Sequence, residues 1–200
     1  MKKKIVITGG LGYIGTELCK LYSGVSWHHK IFIIDNRFSS ERVNQIRNWN
    51  MEFIQGDILD KNIIKKYCKD ADVIHHLAGI TDVPRTKNEA ISSKDEKIKE
   101  VAERGTQNIL DVIDNKCKII FPSTHVVFEG TEKVKKDIGE DEITKPVLSY
   151  SYSKAVNEEQ LKKSGKNYVI LRLGSVYGYS TDTMRLDIMT NLFSKIASQD

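Results

Sequence analysis

The apolar stretch Ile5-Val6-Ile7 runs straight into Thr8-Gly9-Gly10-Leu11-Gly12-Tyr13-Ile14-Gly15, and that junction constrains the fold more than any other part of the chain. Gly9, Gly12 and Gly15 stand at G-x-x-G-x-x-G spacing. A strand, a tight turn and a helix start have to meet there. Glycine permits the turn and lets backbone approach a pyrophosphate with no Cβ in the way. The N–H groups at the helix start then face the anion. Glycine is common at any strand-to-helix turn, but here the strand before and the amphipathic helix after are both present, as a dinucleotide-binding turn requires.

The remainder of the 200-residue chain keeps the same rhythm. Short, almost continuously apolar runs predict strands at 4–8, 30–35, 51–55, 72–77, 118–122 and 168–173, as in a parallel sheet covered on both faces. Helical patterns lie between them. Ile14, Leu18 and Leu21 share one face, and Ile98, Val101, Ala102, Ile109, Val112 and Ile113 form a longer stripe. The alternation predicts an α/β fold: a doubly wound parallel sheet of Rossmann type, with helices on both faces and right-handed crossovers. Pro84, Pro122 and Pro146 fall outside helix interiors, and residues 129–147 read as a polar surface loop. Met189, Leu192, Phe193 and Ile196 mark a last helix, which stops without a capping signal or a following strand.

Composition narrows the class. With 40% hydrophobic and 29% charged residues the chain suits a soluble globular protein. The net charge of +4 arises from 31 basic and 27 acidic residues intermixed, which favours small anionic ligands. No basic stripe interleaved with aromatics is present, so a nucleic-acid partner is not expected. Lys2-Lys3-Lys4 is not followed by the long apolar region of a signal peptide, and no stretch is long enough to span a membrane. Cys19, Cys68 and Cys117 are scattered, odd in number and without metal spacing. They read as small buried hydrophobes in a reducing, cytoplasmic compartment.

Asp35 lies 20 residues after Gly15, at the end of the second strand. A carboxylate there accepts hydrogen bonds from the adenosine ribose hydroxyls and repels a 2′-phosphate, which favours NAD over NADP, although Arg37 blurs that preference. Asp57, after the third strand, could cap the next helix or contact adenine. Tyr150 and Lys154 are spaced i, i+4 and so neighbour each other on one helix face. A free phenol has a pKa near 10. A nearby ammonium favours the phenolate, giving a base that could take a hydroxyl proton while hydride leaves the same carbon for a nicotinamide. Lys154 could also donate to the nicotinamide ribose. Ser123 and Thr124 follow the fifth strand at the carboxyl edge of the sheet, where open α/β sheets bind ligands. A hydroxyl there could hold the substrate oxygen, and His125 could reach the same place. Tyr152 points to another helix face. His28-His29 and His75-His76 would alternate sides along strands, and no metal site is expected.

Taken in order, these residues resemble the extended short-chain dehydrogenase/reductases, in the NAD-dependent epimerase/dehydratase branch. The resemblance spans nearly the whole chain. It rests on Thr8–Gly15, Asp35-Asn36, Gly56-Asp57, His76-Leu77-Ala78-Gly79, Gly105-Thr106-x-Asn108, Ser123-Thr124, Tyr150-x-x-Ser153-Lys154, and Leu171-Arg172 through Tyr177-Gly178. Asp35-Asn36 and Ser39-Ser40 are similar to UDP-galactose 4-epimerases. The resemblance implies that Gly9, Gly12 and Gly15 hold the pyrophosphate of NAD, with Tyr13 and Ile14 over it. It implies that Asp35 binds ribose, with Asn36 among the cofactor-binding residues, that Asp57 and Ile58 border adenine, and that Leu77, Ala78, Gly79 and Ser123 line the cofactor groove. Thr124, Tyr150 and Lys154 would form the catalytic set, with Thr124, His125 and Ser175 toward substrate.

Departures from the pattern also inform. Dehydratases of the branch follow the catalytic Thr with Asp-Glu, and decarboxylating relatives also use the Glu; here His125 and Val126 occupy those places. Valine cannot exchange protons, which disfavours both reactions. Ala102, Ser175 and Tyr179 replace an Asn, an Asn and a Pro usual in the family. The resemblance thus implies a nucleotide-sugar epimerase, with a net dehydrogenase or ketoreductase, or a dinucleotide sensor without catalysis, as the alternatives. Residues 1–174 are expected to form the dinucleotide-binding domain and 175–200 the beginning of a substrate-binding subdomain that breaks off. A homodimer built on helices is a further implication; the stripe from Ile98 to Ile113 could serve it or pack on its own sheet.

Overall fold

Strand β1 (Lys4–Thr8) stands at the centre of a parallel sheet in this computed structural model, which describes residues 2–81, 92–133, 135–180 and 183–199. From β1 the chain builds outward through α1 (Tyr13–Ser23), β2 (Lys30–Asp35), α2 (Ser40–Asn48) and β3 (Glu52–Gln55). Helix α3 (Lys61–Cys68) then carries it back to β4 (Val73–His76) on the other side of β1. The second half continues through α4 (Ser92–Val112), β5 (Lys118–Thr124), α5 (Ser149–Lys163), β6 (Asn167–Leu173) and α6 (Met189–Ala197). The strand order is β3-β2-β1-β4-β5-β6, and every pairing is parallel. This is the expected doubly wound sheet. Its order reverses between β1 and β4, where a crevice opens at the strand ends.

Alternation along β1 explains the two cores. Ile5 and Ile7 face one layer with Ile31 and Ile33 of β2, against Cys19 of α1 and Val43 and Ile46 of α2. Val6 faces the other with Phe32, Ile34, Ile74, Ile119 and Phe121, against α3, α4 and Leu161 of α5. The α4 stripe packs inward: Val101, Ile109 and Ile113 join this second layer, and Ile98 is buried as well. They are therefore not available as an intersubunit surface. The three cysteines are buried free thiols, each pushed up to about 12 mainly by burial.

The structure revises several sequence readings. Helix α1 does not bury Ile14, Leu18 and Leu21 as a face. It buries Gly15, Thr16 and Cys19, while Leu21 is 77% exposed. The small residues let α1 sit close on the glycine turn, so backbone proximity outranks apolar spacing. Ser123 and Thr124 are the last two residues of β5, paired with Arg172 and Leu173 of β6, so the strand runs two residues further than read. His28 closes a short 3₁₀ turn (Ser26–His28), and His29 is not in a strand. Helix α3 is capped by Asp60, whose carboxylate accepts the N–H groups of Asn62 (2.8 Å) and Ile63 (3.3 Å); Asp57 is not the cap. Pro84 lies outside the described residues. Among the described residues no helix is long and apolar enough to cross a membrane.

The burial pattern makes a testable contrast. Leu161→Ala should cost about 2–5 kcal/mol, because a fully buried side chain leaves a cavity. Leu21→Ala should stay within about 0.5 kcal/mol. Urea unfolding of the two variants measures both, and equal losses would contradict the packing of α1.

Candidate active site

Gly9 opens the turn after β1 with φ +72°, and a Cβ there would lie 2.6 Å from the Ala78 nitrogen. A Cβ on Gly15 would lie 2.4 Å from the Gly9 carbonyl oxygen. Both glycines are therefore demanded by close backbone approach. Gly12 precedes α1 at the N-cap position and offers no side-chain cap, and the first turn holds no acidic residue. The N-terminal dipole of α1 is left facing the crevice, which suits an anion. Asp35, 5% exposed, accepts the Leu11 N–H (2.9 Å) on one oxygen and the Arg37 N–H (3.0 Å) on the other. Asn36 donates to Asp57 at 3.3 Å, and Asp57 also accepts the Leu59 N–H at 2.9 Å. These residues fit the diphosphate and adenosine ribose of a dinucleotide.

One groove of about 1030 Å³ runs from this cradle across the sheet edge. Gly9, Gly12, Tyr13, Ile14 and Gly15 line its first end, with Asp35, Asn36, Asp57 and Ile58 beside them. Leu77, Ala78 and Gly79 form its wall; Ala78 is held there by its N–H bond to the Thr8 hydroxyl (3.2 Å). Ser123, Thr124, His125, Tyr150, Lys154 and Ser175 line the far end. The structure thus gathers every residue anticipated for the site around one cavity, 135 positions of sequence separating Gly15 from Tyr150. Tyr152 is exposed on another face, its ring under Lys99 at 5.3 Å. His75 hydrogen-bonds Tyr22 (2.8 Å), while His76 lies buried between the Thr8 (2.9 Å) and Thr106 (3.0 Å) hydroxyls. Among the described residues no three His, Cys, Asp or Glu side chains gather around a point that could hold a metal ion.

Several contributors escaped the sequence reading. Glu158, one turn beyond Lys154, is 1% exposed and accepts the Ser123 hydroxyl at 2.6 Å. Arg172 of β6 grips the same carboxylate through Nε (3.0 Å) and Nη2 (2.7 Å). The Ser123 hydroxyl is thereby committed, which leaves Thr124 as the strand-end hydroxyl able to meet a substrate oxygen. Glu129 accepts the N–H groups of Val147 (2.8 Å) and Leu148 (2.7 Å) and the Ser151 hydroxyl, tethering the start of α5 beside Tyr150. The spacing Tyr150, Lys154, Glu158 was a readable signal for the first of these, since i, i+4 and i+8 share a helix face.

The model of the NAD dependent epimerase/dehydratase family matches residues 5–200, and the chain belongs to that family. It is 31% identical over 188 residues to a UDP-N-acetyl-alpha-D-glucosaminuronate decarboxylase of Bacillus cytotoxicus, covering 89% of this chain and 56% of the relative. It is 29% identical over 177 residues to a UDP-glucose 4-epimerase of Neisseria meningitidis, covering 80% and 47%. Among solved structures, UDP-glucuronic acid 4-epimerase from Bacillus cereus in complex with NAD superposes with a TM-score of 0.78 at 26% identity, over 100% of this chain and 63% of that one. The chain spans about half the length of the curated relatives it matches.

The electrostatics of the far end differ from the sequence expectation in one respect. Burial pushes the Tyr150 phenol above its ordinary 10, opposed by the Arg185 charge and a hydrogen bond with Thr124. Lys154 is not what lowers it: its ammonium donates to the Pro122 carbonyl (2.8 Å) and lies 5.9 Å from the Tyr150 ring centroid. Burial brings Lys154 itself down to about 8. The folded protein releases this proton near pH 8 and the unfolded chain near 10.5, so the cost of the buried ammonium is present in full below 8 and is relieved as pH rises. Relative to Lys154→Met, the wild type should gain about 2 kcal/mol of stability between pH 7 and pH 10. Denaturant melts of both proteins across that range test this, and a constant difference would rule out a buried titrating ammonium.

Proposed function

We propose that the chain binds NAD and forms the cofactor half of an enzyme that epimerises a nucleotide sugar. The observation that carries this reading is the placement of the Thr124 hydroxyl and Tyr150 phenol at one end of a groove whose other end is the glycine cradle and Asp35. Gly9, Gly12 and Gly15 with the start of α1 would hold the pyrophosphate, Asp35 the adenosine ribose, and Leu77 to Gly79 the nicotinamide side. NAD bound there would supply the hydride-accepting and hydride-donating chemistry that interconversion of a sugar carbinol and its ketone requires.

The protein's residues handle the proton and the oxygen. Tyr150 would remove the hydroxyl proton and later give it back; with the hydride also returned, to the other face, the net reaction is redox-neutral and inverts one carbon. Thr124 donates to or accepts from the same oxygen and keeps it within reach of the phenol. The Lys154 ammonium, held by the Pro122 carbonyl, would donate to the nicotinamide ribose. The Arg185 charge and the Thr124 hydroxyl favour the phenolate form. Relatives include a UDP-N-acetyl-alpha-D-glucosaminuronate decarboxylase and a dTDP-D-glucose 4,6-dehydratase, the latter from Dictyostelium discoideum. Behind Thr124, however, this chain has His125, hydrogen-bonded to the Leu173 carbonyl at 3.2 Å, and the aliphatic Val126, so no carboxylate follows the threonine to serve an elimination. The buried reduced thiols fit a reducing compartment such as the cytoplasm.

A panel of UDP- and dTDP-sugars, followed by chromatography of the products, should reveal one interconverted pair without net NADH. Tyr150→Phe should lower turnover by about 10²–10⁴-fold, the range of a lost general base, while NAD binding persists. Unchanged turnover in that variant would reject the phenol as base, and stoichiometric growth of NADH absorbance would replace epimerisation by net dehydrogenation.

A further inference from the structure

We infer that Tyr13 and Asn191 form a clasp joining the dinucleotide cradle to the segment that borders the reactive end of the groove, so that filling the cradle positions that segment. This rests on the reading of the cradle given above. Tyr13 opens α1 directly after Gly12, and its hydroxyl donates to the Gly178 carbonyl at 2.5 Å. Asn191 receives this arrangement from the other side. Its amide nitrogen donates to the Tyr13 oxygen (3.2 Å) and to the Arg185 carbonyl (2.9 Å), and its amide oxygen accepts the Gly178 N–H (3.0 Å). Both amide hydrogens and the amide oxygen are therefore engaged.

Burial singles out this residue. Asn191 is 3% exposed, yet it belongs to α6, where Met189, Phe193 and Ile196 are each more than half exposed. Apolar burial does not hold this helix; a polar side chain does. The two loops it fixes are functional in position. Gly178 sits at φ +139°, a conformation open to glycine, and presents both its N–H and its carbonyl to the clasp. Arg185, whose carbonyl Asn191 holds, lines the groove and bears on the Tyr150 phenol. The path thus runs from the glycine turn through Tyr13 and Asn191 to a charge acting on the base. Tyr13 and Asn191 are positioning residues: neither needs to touch the reacting carbon.

Hydrogen–deuterium exchange tests the clasp first without ligand. Tyr13→Phe keeps the ring and removes one hydroxyl. Amides of residues 185–198 should then exchange about fivefold faster, the effect of losing one neutral hydrogen bond. Asn191→Ala should accelerate the same amides at least as much, and the double variant should match Asn191→Ala alone, because the two residues act as one unit. With NAD added, the wild type should slow at both 9–16 and 185–198, whereas Tyr13→Phe should slow only at 9–16. Wild-type exchange rates at 185–198 in ligand-free Tyr13→Phe would overturn the clasp, and NAD protecting 9–16 but not 185–198 in the wild type would overturn the coupling. Absence of NAD binding by calorimetry would instead reject the cradle and with it the coupling, while the ligand-free comparison still decides the clasp.

Discussion

A buried carboxylate fixes where the phenol stands. The inward side of α5 is made of Ser151, Ser153, Lys154, Asn157 and Glu158, with only Ala155 and Leu161 apolar. A helix with so polar a buried face cannot be seated by hydrophobic burial alone. Glu158 seats it by hydrogen bonds to Ser123 at the end of β5 and Arg172 in β6, residues that the sheet register already sets side by side. Asn157 and Gln160 add bonds to the α4 carbonyls of Ala102 (2.9 Å) and Glu103 (3.0 Å). Burial disfavours the Glu158 charge, but the Arg172 and Ser123 hydrogen bonds outweigh it and keep the carboxyl below its usual range. A buried ion pair contributes little net stability, yet breaking it costs about 3–5 kcal/mol. What Glu158 supplies is direction: a rotation of α5 that moved Tyr150 from the groove would strand its charge.

The sheet was legible because two-sided burial writes itself as continuous apolar runs, and all six strands fell within two residues of their observed bounds. The glycine turn and Asp35 were legible because their chemistry is tied to backbone geometry and to spacing. The same tools failed at α1, where Ile14 and Leu21 carry the apolar spacing but Gly15, Thr16 and Cys19 are buried. Periodicity registers large side chains, and that interface is made of small ones. The Glu158 and Asn191 networks were missed for a related reason: their partners, Arg172 and Gly178, are distant or present backbone atoms, which no local pattern records.

The cradle end and the reactive end use different means to receive charge. At the cradle, a helix start without a side-chain cap stands beside a buried carboxylate whose two oxygens already accept backbone N–H groups. Asp35 is thus held in place by backbone donors, and a preorganised acceptor loses little ordering entropy on binding. Arg37 lies 3.5 Å from the same carboxylate but is largely exposed, so its charge is screened.

At the reactive end, burial works against both ionisable partners. It raises the phenol and lowers the ammonium, so the closed protein disfavours phenolate and ammonium alike. The groups already lowering the Tyr150 pKa are Arg185 and Thr124, one from the segment after the sheet and one from a strand end. Thr124 is fixed by β5, whereas Arg185 is placed by the carbonyl bond from Asn191. The Tyr150 phenol is therefore tuned by a segment that the sheet does not hold. Its acidity depends on how firmly residues 185–191 are tied to the rest of the fold.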